Sequence, residues 1–194
     1  MPRRKNEVAN QAQPGPNAEL RQALTRRKKA ELIDALMVLA QADRGVLRQL
    51  SARFDVAAPP DELIAATRQA IADATGFDQR DINRNFDYDD GAYDEVKRNL
   101  SRLIDSGQVR QAMTLALELM KRGSYQVEMS DEGMMTQDVE DCVKVVVEAL
   151  RTCDLPTPEV IAWCSAMHEQ DRVGFIASEP LESLRKHLQK AAQR

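Results

Sequence analysis

Apolar side chains recur along this chain with the period of an α-helix. Val109, Ala112, Met113, Ala116, Leu117 and Met120 lie at spacings 0, 3, 4, 7, 8 and 11, and Val139, Cys142, Val143, Val146, Val147 and Leu150 repeat that series. On a helix of about 3.6 residues per turn these positions form one apolar stripe, the mark of a helix with one face in a core. Leu63, Ala66, Thr67, Ala70, Ile71 and Ala74 follow the series a third time.

Less regular segments carry start and stop signals. Leu32, Leu36, Leu39 and Ala40 predict a helix near 26–41, and Asp43 is placed to cap a second one carrying Val46, Leu47, Leu50 and Phe54. Pro59 and Pro60 separate these from the helix that starts near Asp61. Asp90 precedes a segment bearing Val96, Leu100, Leu103 and Ile104, while Gly76 and Gly107 occupy positions where helices end. Thr157 with Pro158, and Ser178 with Pro180, read as helix starts with proline in the first turn. GSYQVEM (123–129) alternates like a strand at Tyr125, Val127 and Met129, yet it also continues the preceding helix, and helix is the reading adopted.

The count is eight helices joined mostly by short turns, which bring neighbours together antiparallel. No fixed-period repeat of the tetratricopeptide or ankyrin kind is present. The expected fold is all-α, an irregular α-solenoid or bundle.

Composition sets limits on this picture. With 194 residues, 43% of them apolar, the chain can bury a substantial core. The expectation is a single helical domain over 18–194 behind a polar, disordered basic tail over 1–17, punctuated by Pro14, Gly15 and Pro16. No apolar run approaches the roughly 18–20 residues that span a bilayer. The basic N-terminus has no apolar stretch behind it, so it does not read as a secretory signal. Cys142, Cys153 and Cys164, an odd number at wide spacing, suit reduced thiols and a cytoplasmic setting.

The net charge of -4 hides an asymmetry. Residues 1–30 hold eight Lys/Arg against two Glu, and the remainder is strongly acidic. A basic arm of that kind can meet nucleic acid. Arg3, Arg4 and Lys5 are too few to neutralise many phosphates, however, and the acidic body repels them.

One stretch departs from the regular pattern. FDQRDINRNFDYDDGAY (77–93) gathers Phe77, Phe86, Tyr88 and Tyr93 with five aspartates. Oxygen ligands fall at alternate positions from Asp81, but an EF-hand loop begun there needs glycine where Phe86 stands and glutamate where Ala92 stands. The reading preferred is a loop whose rings pack and whose carboxylates cap or face water.

Cys142, Cys153, Cys164 and His168 are the residue types of a zinc site, spaced C-x10-C-x10-C-x3-H. A zinc knuckle brings two cysteines within about two to four intervening residues, and no pair here does so. Cys164 and His168 share a helix face and mimic a nucleophile and base, without the third orienting group that such chemistry needs. The G-x-S-x-G, P-loop, G-x-G-x-x-G and H-E-x-x-H motifs are absent. No cofactor, metal or catalytic residue is expected.

The order of FDYDDGAYDE, the helix NLSRLIDSG, the long helix VRQAMTLALELMKR and the linker MSDEGMM resembles a family of bacterial α-helical proteins of unassigned role. It is similar, too, to the helical region that follows the zinc finger in SWIM-type zinc-finger proteins. The likeness covers about residues 25–175. It implies a right-handed stack of helix pairs used as a scaffold. The SWIM finger's C-x-C and C-x-H pairs are missing here, so its metal and nucleic-acid roles are not carried over.

These readings converge on a non-enzymatic helical scaffold or adaptor for an unidentified protein partner. The candidate contact residues are Phe86, Asp87, Tyr88, Asp89, Asp90 and Tyr93. The alternative is a regulatory protein that associates with nucleic acid through the basic N-terminal arm.

Overall fold

In the computed structural model the described residues are 16–54, 59–85 and 88–192. Every regular element among them is a helix, which bears out the all-α expectation. In chain order the helices are α1 (Pro16–Thr25), α2 (Lys29–Ala42), α3 (Arg44–Arg53), α4 (Pro60–Ala74) and α5 (Gln79–Asn85). They continue as α6 (Asp90–Asp105), α7 (Val109–Met129), α8 (Thr136–Leu150), α9 (Thr157–Gln170) and α10 (Ser178–Ala192).

The described helices number ten, which corrects the expected eight. The two additional helices, α1 and α5, lack a periodic apolar stripe. α1 carries only Leu20 and Leu24 as large apolar residues, and both are exposed. α5 is seven residues long and buries one side chain, Ile82, so the stretch read as a loop contains a helix. GSYQVEM is helical as expected and forms the last third of α7.

Caps fall where the sequence put them, to within a residue. The Asp43 carboxylate accepts from the N–H groups of Gly45 (2.7 Å) and Val46 (3.2 Å) at the start of α3. Asp89, one residue earlier than expected, caps α6 by accepting from Ala92 N–H at 2.9 Å. Gly107 has φ 78°, and the N–H groups of Gly107 and Gln108 bond back to Ile104 and Leu103. That left-handed turn closes α6 at little steric cost because glycine has no Cβ.

The chain divides into two compact units, residues 1–50 and 51–194. Residues 1–15, most of the expected tail, lie outside the described residues, while Pro16 and Asn17 belong to α1. Unit 1 contains α1, α2 and the greater part of α3, and among its described residues only Ala40 is buried.

Unit 2 has one apolar core. α6 packs between α4 and α8, α7 touches α4, α6, α8 and α9, and α10 rests on α8 and α9. The α6 stripe of Ala92, Tyr93, Val96, Leu100 and Leu103 is buried to within 2% exposure, as are Val139, Cys142, Val143, Val146, Val147 and Leu150 of α8. Each fully buried branched side chain contributes about 1.5–3 kcal/mol. At Gly123 of α7 the two helices meet so closely that an added Cβ would lie 2.7 Å from Val139 Cγ2. Among the described residues no helix is long and apolar enough to cross a membrane.

Candidate functional site

The stretch singled out by sequence becomes the corner where α4, α5 and α6 meet α7 and α8. Phe86 and Asp87 lie outside the described residues. Of the other four, Tyr93 is only 2% exposed and stands in the core. Its expected role as a contact ring is corrected by that burial: on α6 it follows Ala92 and precedes Val96 on the inward stripe.

The Tyr93 hydroxyl donates to Gln126 Oε1, and Gln126 Nε2 donates to the carbonyl of Ala74 at 3.1 Å. Gln126 is fully buried, so this chain of bonds satisfies polar groups that would otherwise be stranded in the core. It ties the end of α4 to α6 and α7. Burial raises the Tyr93 pKa well above the ordinary phenol value, and the neighbouring Cys142 and Asp138 add to the shift.

Tyr88 is half-buried and lies edge-on to Tyr93, with ring centroids 6.3 Å apart. Its hydroxyl donates to Asp138 Oδ2 of α8 at 2.8 Å. Burial, helped by this bond to a carboxylate, pushes the Tyr88 pKa up to about 12. The Asp138 pKa is raised as well, chiefly by its own burial and then by the charges of Asp90, Asp141 and Asp94, while the bond from Tyr88 works the other way. The pair therefore favours a protonated phenol against an anionic carboxylate, a fastening between α8 and the entry to α6.

The aspartates are largely engaged with the backbone. Asp78 accepts from Arg80 N–H at 2.7 Å, Asp89 caps α6, and Asp90 accepts from Gly91 N–H at 2.7 Å. Asp78, Asp81, Asp89 and Asp90 line a shallow cleft of about 410 Å³ together with Phe77 and Tyr88. Its negative potential favours a basic partner. The hydrogen bonds show that the same residues build the corner.

The cysteine and histidine set is dispersed. Cys142 and Cys164 are buried and Cys153 is half-buried, all as free thiols. Burial pushes the Cys142 thiol up to about 12 and the Cys164 thiol up to about 11, so neither offers a ready thiolate. His168 is half-buried on α9. Among the described residues no three Cys, His, Asp or Glu side chains converge as a metal would require.

Three residues that organise this region were not singled out by sequence: Asp138, Gln126 and Ser124. Ser124 is buried, and its hydroxyl donates to the carbonyl of Gln170 at 2.8 Å, fixing the end of α9 to α7. A signal for Gln126 did exist. It stands between Gly123 and Val127 on the inward face of α7, where a polar residue requires buried partners. Comparison with protein-family models, curated proteins and solved structures returns no match.

Proposed function

We propose that this chain is a non-enzymatic helical scaffold that docks another protein through α2. The observation that carries the reading is the exposure of Ile33 (48%), Leu36 (40%), Met37 (51%), Val38 (63%) and Leu39 (55%). A helix apolar on nearly every side belongs in an interior. Within unit 1 these side chains have almost nothing to pack on, since Ala40 is its one buried residue among those described.

Covering five such half-exposed side chains would contribute on the order of 5 kcal/mol, taking about half of the value for full burial of each. Charge narrows the partner's chemistry. Residues 16–50 carry seven Lys/Arg against four Asp/Glu, with Arg26, Arg27, Lys28 and Lys29 immediately before or at the start of α2. A partner helix with an apolar face and an acidic rim complements that surface.

The docking surface in this proposal is α2 rather than the corner at 88–93. Tyr93 and Tyr88 have partners within the chain, and Asp89 is engaged as a cap. The nucleic-acid alternative rests on the basic N-terminal arm of residues 1–29, of which Arg3, Arg4 and Lys5 lie outside the described residues, and it predicts salt-sensitive binding that is lost when that arm is removed.

The test is purification from the native host of wild type and a Leu36→Asp, Val38→Asp double variant, with a photoreactive residue at position 37. The expected result is one stoichiometric crosslinked partner that the double variant loses while its far-UV circular dichroism is retained. Equal recovery from both proteins would refute the proposal. So would protection of Met37 from oxidative footprinting in the isolated monomer.

A further inference from the structure

A second cleft shares Phe77 with the acidic one and carries the opposite charge. It encloses about 450 Å³ and is lined by Thr75, Phe77, Lys121, Arg122, Tyr125 and Arg172. Its size lies within the roughly 300–1,000 Å³ common for small-molecule sites. Three cations around two rings form a local positive patch on a protein whose net charge is -4.

Each wall is held by a bond already described or by one like it. Gln126 grips the Ala74 carbonyl and so sets the strand of chain that carries Thr75 and Phe77. Ser124 grips the Gln170 carbonyl at the base of the loop that carries Arg172. The buried Asp171 carboxylate accepts from the N–H groups of Val173 (3.2 Å), Gly174 (3.0 Å) and Ile176 (2.9 Å), which fixes that loop in turn. Lys121 and Tyr125 are one turn apart on α7 and point out on the same face.

The cations are not equivalent. Arg172 is paired with Glu128, and its guanidinium lies over the Tyr125 ring, 4.9 Å from the centroid. Lys121 and Arg122 are exposed and, among the described residues, form no ion pair. Tyr125 is 42% exposed and is tilted at 56° to Phe77, with centroids 5.9 Å apart. The cleft therefore presents two cations without an ion-pair partner among the described residues beside an aromatic wall, while Asp78, Asp81, Asp89 and Asp90 line the neighbouring cleft that shares Phe77.

We infer that this cleft binds a nucleoside phosphate, with the base against Phe77 and Tyr125 and the phosphate on Lys121 and Arg122. A base gains from packing on the exposed parts of these rings and on the planar Arg172 guanidinium that covers Tyr125, and every base has a π-face. A phosphate gains from a fork of N–H donors and an ammonium that have no competing carboxylate. The neighbouring acidic cleft favours this orientation, because its carboxylates repel the phosphate toward Lys121 and Arg122.

The experiment titrates the full chain with AMP, adenosine and inorganic phosphate by calorimetry at low salt, in parallel with Lys121→Ala/Arg122→Ala and Tyr125→Ala variants. AMP is expected to bind at least tenfold more tightly than either fragment, and each variant to weaken it about tenfold or more. Its affinity should fall as salt rises. Circular dichroism and melting of the variants, whose changed side chains are exposed, report an intact fold. Three results would overturn the inference: no AMP binding, AMP binding no tighter than phosphate or adenosine, or variants that bind AMP like wild type. These outcomes are independent of α2, so they leave the docking proposal to its own test.

Discussion

Replacing Tyr93 by phenylalanine removes a single oxygen from the core, and the structure fixes what that should do. The hydroxyl donates to Gln126 Oε1, and the two residues are 2% and 0% exposed. Loss of the bond costs about 1 kcal/mol net, and an acceptor left without a partner in the interior adds about 1–3 kcal/mol. With both residues buried, the stranded acceptor is shielded from solvent, so a total of about 2–4 kcal/mol is expected. In a domain of this size each kcal/mol shifts Tm by about 2–4 °C, giving a melting point lower by about 4–16 °C.

Tyr88→Phe is the control. Its partner Asp138 is only half-buried and can take up water, so that variant should lose less than about 1 kcal/mol. The assay is urea unfolding followed by circular dichroism, with melting as a second readout. Adding Gln126→Leu completes a double-mutant cycle. Alone, that change strands the Tyr93 hydroxyl and the Ala74 carbonyl; in the Tyr93→Phe background it strands only the carbonyl. The pair should therefore cost about 2–3 kcal/mol less than the sum of the singles, because the shared bond is lost once instead of twice and neither of its partners is left stranded. A Tyr93→Phe variant within about 0.5 kcal/mol of wild type, or one milder than Tyr88→Phe, would refute this account of the core network.

The Gly123→Ala variant tests the close approach of α7 and α8. Alanine would improve helix propensity by about 1 kcal/mol, but a Cβ 2.7 Å from Val139 Cγ2 overpacks a fully buried site at about 1–3 kcal/mol. Net destabilisation is expected in urea melts, and Val139→Ala should turn the same substitution favourable. A stabilised Gly123→Ala single variant would mean the helices separate freely. Alkaline titration tests the Tyr88 fastening. The native pKa stands at about 12 against an ordinary 10.0, so the protonated phenol is favoured in the folded state. Its contribution is complete below pH 10 and is lost as pH rises from 10 toward 12. The stability difference between wild type and Tyr88→Phe should shrink across that window, and a constant difference would contradict the assignment.

The helical stripes of α4, α7 and α8, and the caps at Asp43 and Gly107, were legible in the residues themselves. Their causes are local: side chains three and four apart share a helix face, and a short carboxylate or a glycine satisfies a helix end without help from distant chain. α1 and α5 were not legible, because one has little apolar periodicity and the other is too short to display any. The corner at 77–93 was visible as unusual, but not what each side chain there does.

That assignment belongs to tertiary structure. Tyr88 and Tyr93 stand five residues apart in nearly identical acidic surroundings, yet one is half-exposed beside Asp138 and the other is sealed against Gln126. The difference arises from α7 and α8, which reach the corner from 33 and 50 residues away. The cleft of Phe77, Tyr125 and Arg172 likewise combines two loops with one helix. Sequence determined where helices form, because helix energetics are local. Which rings pack, which face solvent and which cations gather around them was decided only by packing, since those contacts join residues that the chain itself keeps far apart.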